Sequence, residues 1–399
     1  MEQIIGSIVS PLGFRAAGVA CGIKKNGGPD LALVVSDVPA SCAAVFTRNV
    51  VKGHSLQLSM RHVRQGTARA VMVNSGGANA CVGPQGDQDA EEAVREAALR
   101  IGCPAQQVLF DSTGVIGLRL PMDRLLHGIG LAAGSLARSD AAGHAAEAAI
   151  MTTDTIPKEE TVVFRRDGHT VTVSGMAKGS GMIHPDMATM IGIITTDCAI
   201  ESSALDAALR KAVGTTFNRV SVDGDTSVCD MVAALANGMA GNPPITGPDP
   251  EFDEAVRIVC ENLARKIAWD GEGATKMIEV QVRGARSADD AYRIVQAVAK
   301  SPLVKTMMFG EDSNWGRILT AAGYSGASFD PSRCDIRFGD LQVCSGGAAL
   351  PFDEARAREI LSAREILVVL DMNEGDACDR VWTCDFSYDY VKINGSYRT

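Results

Sequence analysis

A glycine-rich segment that leads into an apolar run places the strongest constraint on this chain. It reads Lys178-Gly-Ser-Gly-Met-Ile-His-Pro-Asp-Met-Ala-Thr189-Met. The alternation of apolar and polar residues at 171–174 predicts a strand that ends there, and the apolar run 190–194 predicts a second, buried strand. Glycines between them allow tight turns and close backbone approach. The pattern therefore places Thr189 at the entrance of a buried strand.

A threonine in this position can react with its own backbone. Its hydroxyl can attack the preceding carbonyl, and hydrolysis of the resulting ester breaks the chain before Thr189. The released α-amine, whose pKa is about 7.7–8.0, can then act as the base for the same hydroxyl. On the segment alone, a simple turn, a phosphate-binding loop and an ordinary strand threonine stay open as alternatives.

Composition excludes several classes of protein. The chain has 399 residues, of which 46% are hydrophobic and 22% charged, which predicts a large core. Its net charge of -10 and its lack of a long basic run argue against nucleic acid as a partner. No apolar run reaches the roughly 18 residues of a membrane span, and the start lacks signal-peptide features. We therefore expect a cytoplasmic protein with no membrane partner.

The sequence shows no metal or nucleotide signature. Its 11 cysteines include no Cys-x-x-Cys pair, which argues against a disulfide framework or a zinc site. Cys42, Cys198 and Cys260 lie in apolar surroundings and are predicted to be small core residues. The segment 223–230 begins like a calcium loop, but Val228 stands where such a loop needs glycine. We expect no bound metal.

Strands and helices are mixed along the chain, which predicts an α/β or α+β layered fold. The predicted strands are 30–36, 70–74, 108–110 and 388–393. The predicted helices are 87–102, 252–267 and 287–300. A loop rich in glycine and proline at 238–250 is either a domain boundary or a long surface connection.

Two polar segments offer groups for acyl transfer, which needs donors aimed at a developing oxyanion. Thr113 and Gly114 supply a hydroxyl and a backbone N–H after the strand 108–110, although a simple turn accounts for them equally well. Thr153 lies in a polar break at 151–157, whose simplest role is to end a helix.

Two charged residues stand beside glycines. Lys178 can neutralise a substrate carboxylate or lower the pKa of a nearby amine, or it can be a solvated surface lysine. Glu272 lies between two glycines and can pair with an ammonium group, or it can be an exposed turn carboxylate.

The segment 178–190 resembles the self-processing site of the ornithine acetyltransferases, the glutamate N-acetyltransferases of arginine biosynthesis. Further matches extend from Gly13-Phe-Arg-Ala-Ala-Gly-Val19 to Tyr390-Val-Lys-Ile-Asn-Gly-Ser-Tyr-Arg-Thr399. The resemblance implies an α/β fold with layers of helices around central sheets. It also implies cleavage between Ala188 and Thr189 into an alpha chain, 1–188, and a beta chain, 189–399. The two chains would be intertwined as one catalytic unit, with two copies of each.

The resemblance further implies a ping-pong reaction. Thr189 would take the acetyl group of N2-acetylornithine and pass it to glutamate, with Thr113 and Gly114 as the oxyanion hole. The substrate-binding residues that it implies are Thr153, Lys178, Thr189, Glu272, Asn394 and Thr399. No cofactor is needed, but some relatives also accept acetyl-CoA, and the resemblance leaves open whether this chain does. The last residues should be ordered because they close the pocket.

Departures from the family pattern are few. Gly77 stands where asparagine is common, and Val228 and Cys229 stand where threonine and asparagine are common. They put local packing in doubt but leave the nucleophile in place, and the amine mechanism does not require the nearby His184. Two rivals remain open: an amidase or aminopeptidase with the same N-terminal nucleophile, and a binding protein that holds an anion in its glycine loop.

Overall fold

The computed structural model describes residues 1–184 and 190–396. The predicted cleavage residues Ala188 and Thr189 and the predicted substrate residue Thr399 lie outside the described residues. The described chain forms two compact units, the first made of 1–218 and 225–266 and the second of 219–224 and 267–396. The loop 238–250 lies inside the first unit, so it is a connection and not the boundary between the units.

Helices and strands alternate through both units. The helices of the described residues are α1 (His54–His62), α2 (Gln85–Ile101), α3 (Met122–Gly134), α4 (Asp140–Ile150), α5 (Ser202–Thr215), α6 (Pro250–Trp269), α7 (Ala288–Lys300), α8 (Pro302–Phe309), α9 (Trp315–Gly323), α10 (Glu354–Ser362) and α11 (Tyr388–Ser396). The strands are β1 (Glu2–Ile4), β2 (Phe14–Val19), β3 (Leu31–Phe46), β4 (Thr67–Asn74), β5 (Val108–Ser112), β6 (Glu159–Arg166), β7 (His169–Lys178), β8 (Ile191–Thr196), β9 (Val220–Ser221), β10 (Met231–Ala236), β11 (Met277–Ala285), β12 (Asp335–Phe338), β13 (Leu341–Ser345), β14 (Ala348–Ala349), β15 (Glu365–Asp371) and β16 (Ala377–Cys384). Within the described ranges, no helix is both long and apolar enough to cross a membrane.

The first unit is built on a sheet with strand order β1-β6-β7-β8-β10-β3-β4-β5, and β2 also pairs with β3. Alternate residues of β3 enter different cores: Leu33 packs with α2 and α3, whereas Val34 packs with α4. Because successive side chains of a strand point to opposite faces, helices cover both faces of this sheet. β8 lies inside the sheet and is buried along its whole length, as the apolar run at 190–194 predicts.

The second unit has its own sheet, with strand order β14-β13-β12-β15-β11-β16-β9. Its core combines apolar side chains of α7, α8 and α9 with inward-facing residues of β11, β12 and β15. Trp382 on β16 is fully buried, and its indole N–H donates to Glu279 Oε2 at 3.0 Å. Both units are therefore layers of helices on a sheet, which confirms the predicted α/β class.

The three predicted helices are confirmed because capping residues mark their ends. Gly102 ends α2 in the left-handed conformation, with φ of 72°, and its N–H bonds to Ala98 O. The Ser287 side chain accepts from the Asp290 N–H and begins α7. α6 extends from Pro250 to Trp269 around the predicted 252–267.

The predicted strand at 388–393 is wrong, because these residues belong to α11. Aromatic and β-branched residues there favour a strand by propensity. Ser387 overrides that preference, since its hydroxyl accepts from the Asp389 N–H at 3.1 Å and donates to Gly273 O at 2.5 Å. Phe386 also stacks on Tyr390, with 4.6 Å between the ring centroids. Local capping and packing decide the structure here.

β7 continues past the predicted end of the strand at 174 and reaches Lys178. Gly175 lies within it and does not form a turn. A Cβ at this position would lie 2.7 Å from Val259 Cγ1 and 2.9 Å from Leu263 Cδ1, both on α6. Gly175 is therefore required by the close packing of a helix on the strand.

The three cysteines predicted to be core residues are all buried. Burial raises the pKa of the Cys42 and Cys198 thiols to about 12 and that of Cys260 further still. They are therefore protonated at neutral pH and pack as small apolar groups.

Candidate active site

The entrance of β8 lies between the end of β7 and the start of β10. Lys178, the last residue of β7, pairs with Ile191, and Met231, the first residue of β10, pairs with Ile191 from the other side. The Met231 N–H also donates to Met190 O at 3.2 Å. This register brings Lys178 to the first residue of β8, Ile191, which follows the predicted nucleophile Thr189 by two positions in the sequence.

Thr113 and Gly114 form the loop after β5, and neighbouring backbone holds this loop firmly. The Thr113 N–H donates to Asn74 O at 2.9 Å. A Cβ on Gly114, which has φ of 126°, would lie 2.8 Å from Gly76 C and Gly77 N. Only glycine fits this close approach of two backbones. The loop is therefore a rigid, half-buried turn, as an oxyanion-binding turn must be.

Lys178 is the positive centre of this part of the first unit. It is 8% exposed, and its positive charge acts on three buried carboxyls. It lowers the pKa of Asp154, and it opposes the larger rise that burial causes in the pKa of Asp111 and of Asp230. A buried cation needs such anions nearby. Lys178 is therefore not the solvated surface lysine that the sequence left open as an alternative. Thr153 is half-buried and directly precedes Asp154 in the chain.

Two buried acids, Asp111 and Asp230, join this centre and were not predicted from the sequence. Burial raises the pKa of both well above the usual range, and the charge of Asp111 raises that of Asp230 further. Asp230 accepts from the Met190 N–H, and Asp111 Oδ1 accepts from the Ser112 N–H at 2.8 Å. The Oδ2 atom of each has no hydrogen-bond partner within the part of the chain that the structure describes. They can hold a proton near the entrance of β8.

The second unit brings two other predicted residues together. Glu272 is 5% exposed, and its Oε2 accepts from Asn394 Nδ2 at 2.8 Å. Gly273 allows this contact, because a Cβ there would lie 2.4 Å from Tyr390 N on α11. The exposed-turn alternative for Glu272 is therefore wrong. A buried carboxylate oriented by an amide can bind an ammonium group.

The departures from the family pattern fit their surroundings. Val228 and Cys229 pack with Ala78 and Ala80 in one small apolar cluster. The Cys229 Sγ also lies 3.5 Å from Ala78 O, next to Gly77. Val228 and Cys229 thus make apolar contacts with the segment that follows Gly77.

The buried lysine and buried acids near the entrance of β8, together with the rigid glycine turn after β5, form a candidate active site of the kind found in α/β enzymes. The sequence pattern of the ArgJ family matches residues 15–399, and the chain belongs to this family.

Relatives match over the full length. The arginine biosynthesis bifunctional protein ArgJ of Symbiobacterium thermophilum is 50% identical over 404 residues, which cover 100% of both chains. That of Caldanaerobacter subterraneus is 48% identical over 406 residues, again 100% of both. Among solved structures, the Bacillus halodurans ArgJ protein has 40% sequence identity to this chain and a TM-score of 0.51. The match covers 52% of this chain and 100% of the Bacillus halodurans chain. The predicted family resemblance is confirmed.

Proposed function

We propose that this chain is a glutamate N-acetyltransferase that moves the acetyl group of N2-acetylornithine to glutamate in arginine biosynthesis. The observation that carries the proposal is the sheet register that places Lys178 opposite Ile191, two residues after Thr189, in a chain of the ArgJ family. A buried lysine beside a strand that follows the proposed nucleophile so closely in sequence is suited to bind a substrate carboxylate.

The proposed cycle begins with self-cleavage. The Thr189 hydroxyl attacks the Ala188 carbonyl carbon, the C–N bond breaks, and its nitrogen becomes the Thr189 amine. Water then hydrolyses the ester and leaves the Ala188 carboxylate and the free Thr189 hydroxyl. In each later turnover, the Thr189 amine takes the hydroxyl proton as Oγ attacks the acetyl carbonyl carbon, and it gives that proton to the ornithine nitrogen as the C–N bond breaks and ornithine leaves. The neutral amine of glutamate then attacks the acetyl ester, the bond to Oγ breaks, and the proton lost by the glutamate amine passes through the Thr189 amine to Oγ.

The described residues have roles in this cycle. The Thr113 hydroxyl and the Gly114 N–H would stabilise the oxyanion of each tetrahedral intermediate. Lys178 and Thr153 would hold the substrate carboxylate. Glu272, oriented by Asn394, would bind an ammonium group, and Thr399 would complete the pocket. The proposed cycle uses no cofactor, and whether acetyl-CoA can serve as a second acetyl donor is left open.

Pairing of β7 with β8 supports the proposed two-chain organisation. These strands lie on opposite sides of the proposed cut, so six residue pairs from Val173 to Lys178 would hold fragments 1–188 and 189–399 together. The Bacillus halodurans chain is matched over its whole length but covers only 52% of this chain. A share of about half is consistent with one of the two proposed fragments. Two copies of each fragment and a cytoplasmic location remain part of the proposal.

The test is Thr189→Ala compared with Thr189→Ser. We expect the alanine variant to stay a single chain on denaturing mass measurement and to lose acetyl exchange between N2-acetylornithine and glutamate. The serine variant keeps a hydroxyl and should cut itself and retain part of the exchange. Cleavage and exchange in the alanine variant would refute the proposal. Release of acetate from wild type without transfer to glutamate would instead identify an amidase.

A further inference from the structure

The connection between α4 and β6 contains an ion pair whose two side chains are fully buried. Asp154 Oδ1 lies 2.8 Å from Lys158 Nζ, and both side chains are 0% exposed. Burial of two charges is offset only when geometry is good and further hydrogen bonds satisfy the remaining atoms. The other contacts of the carboxylate therefore show what the pair holds in place.

The Asp154 carboxylate binds two backbone segments at once. Its Oδ1 accepts from the Gly179 N–H at 2.7 Å, and its Oδ2 accepts from the Thr152 N–H at 2.9 Å. Gly179 directly follows Lys178, and Thr152 directly precedes Thr153. One carboxylate thus ties together the two segments that carry these residues.

Lys158 is itself fixed to the surrounding secondary structure. Its N–H donates to Glu147 Oε1 on α4 at 2.8 Å, and its carbonyl accepts from the Ala177 N–H of β7 at 2.9 Å. Lys24 holds the start of the same connection, because its Nζ donates to Met151 O at 2.7 Å. The pair is therefore anchored to a helix and a strand and cannot shift without breaking these bonds.

Charge adds to these contacts. Burial would raise the pKa of Asp154, but the positive charges of Lys178 and Lys158 and the hydrogen bonds lower it to about 2. The carboxylate is therefore ionised throughout the neutral range. The attraction is mutual, so the Asp154 carboxylate favours the positive charge of Lys178, whose backbone neighbour Gly179 it binds directly.

We propose that Asp154, held by Lys158, is a positioning residue that sets Thr153 and Lys178 in one geometry to bind the α-carboxylate of an N-acyl amino acid. The inference rests on the proposed function, which gives Thr153 and Lys178 their substrate contacts. Asp154 acts through these residues and needs no contact with substrate itself.

The first test is Asp154→Asn, which keeps the size and one acceptor oxygen but removes the charge. We expect KM for N2-acetylornithine to rise about tenfold or more, with a smaller change in kcat, because displacement of a binding group by about 1 Å can cost about 100-fold. Self-cleavage, followed by mass measurement, should continue. A wild-type KM in this variant would contradict the proposal.

A double variant tests the same role without an unpaired buried charge. Asp154→Asn with Lys158→Met removes both charges, and such replacement of a buried pair is often neutral for stability. We expect thermal unfolding close to that of wild type together with the raised KM. Normal unfolding with a normal KM would overturn the proposal. Loss of folded protein in both variants would overturn it too, since the pair would then serve only the fold.

A mutant cycle separates a positioning role from a general loss of structure. If Asp154 acts through Lys178, then Asp154→Asn should add little to the KM of Lys178→Met. An undiminished increase in that background would refute the coupling. The matched control is Asp249→Asn, which breaks the contact with Arg166 elsewhere in the first unit and should lower the melting temperature without raising KM.

Failure of this inference can be told from failure of the proposed function. Wild-type protein without acetyl exchange would refute the function before any variant is compared. Active wild-type protein whose KM is unchanged by Asp154→Asn would refute the positioning role alone.

Discussion

In the first unit, Lys178 and the Thr153 segment are held by buried charges, whereas in the second unit Glu272 is oriented by one amide on an exposed helix face. Asp154 and Lys158 have no exposed side-chain surface, while Asn394 is exposed. Strand pairing and the buried ion pair fix the position of Lys178 and of the Thr153 segment. The hydrogen bond from the exposed Asn394 to Glu272 can instead be replaced by a hydrogen bond from water. We therefore expect substitutions near the entrance of β8 to cost more than those at the Glu272–Asn394 pair.

The largest effect is expected for Gly114→Ala in the first unit. The added Cβ would meet Gly76 C and Gly77 N at 2.8 Å and displace the turn that carries the proposed oxyanion donors. Loss of one such donor lowers kcat by about 100-fold or more. Steady-state acetyl exchange measures this loss.

Gly117→Ala is the matched control for this substitution. Gly117 lies in the same loop and also has a positive φ, of 80°, but a Cβ there would have no atom within 4 Å. It should therefore cost only backbone strain, about 1 kcal/mol of stability, and little activity. Equal losses of kcat in the two variants would show that close backbone approach is not what matters at Gly114.

A smaller effect is expected for Glu272→Gln in the second unit. The amide keeps the shape but loses the charge that would attract a substrate ammonium. A charge-assisted hydrogen bond contributes about 1.5–3 kcal/mol, which corresponds to a rise in KM of about tenfold or more. Substrate titrations with N2-acetylornithine and with glutamate would show which of them loses affinity.

Two variants of α11 set the scale for this effect. Asn394→Ala leaves the charge of Glu272 and removes only its hydrogen bond, so KM should rise less than in Glu272→Gln. Lys392→Ala changes an exposed side chain of the same helix and should leave KM unaltered. If Glu272→Gln behaves like Lys392→Ala, the second unit has no part in substrate binding.

Sequence patterns predict the parts of this molecule that depend on local chemistry. The helices 87–102 and 287–300 are marked by apolar periodicity together with Gly102 and Ser287 at their ends, and the entrance to β8 is marked by glycines before an apolar run. The strand predicted at 388–393 is wrong because the Ser387 cap and its contact with Gly273 join residues far apart in the chain.

The buried charges could not be predicted in the same way. Asp111, Asp154, Lys158 and Asp230 are ordinary charged residues in sequence, and charged residues are usually exposed. They are buried because strands distant in the chain meet around Lys178, and no local pattern records that. The boundary between the two units, which falls between Lys266 and Ile267 within α6, could not be predicted either. The helical sequence pattern is continuous across it.

The smallest expected effect concerns stability and the Glu147 carboxyl, which lies beside Lys158. Burial raises its pKa from 4.5 to about 8, the Lys158 N–H opposes this, and the carboxylates of Glu159 and Asp154 add to it. Between about pH 4.5 and pH 8, the folded chain therefore keeps a proton on Glu147 that the unfolded chain has already released. Stability should fall as the pH rises through this window, by about 1.4 kcal/mol per pH unit at most.

Glu147→Gln removes this titration but keeps an oxygen that can accept from the Lys158 N–H. The variant should gain stability relative to wild type as the pH rises from 5 to 8, and the two should converge below about pH 4.5. Glu92→Gln, at an exposed position of α2, should show no such trend. Thermal unfolding across this range measures the difference. Parallel curves for wild type and Glu147→Gln would mean that the folded chain does not keep the Glu147 proton above pH 4.5, so that Glu147 would be ionised beside Lys158.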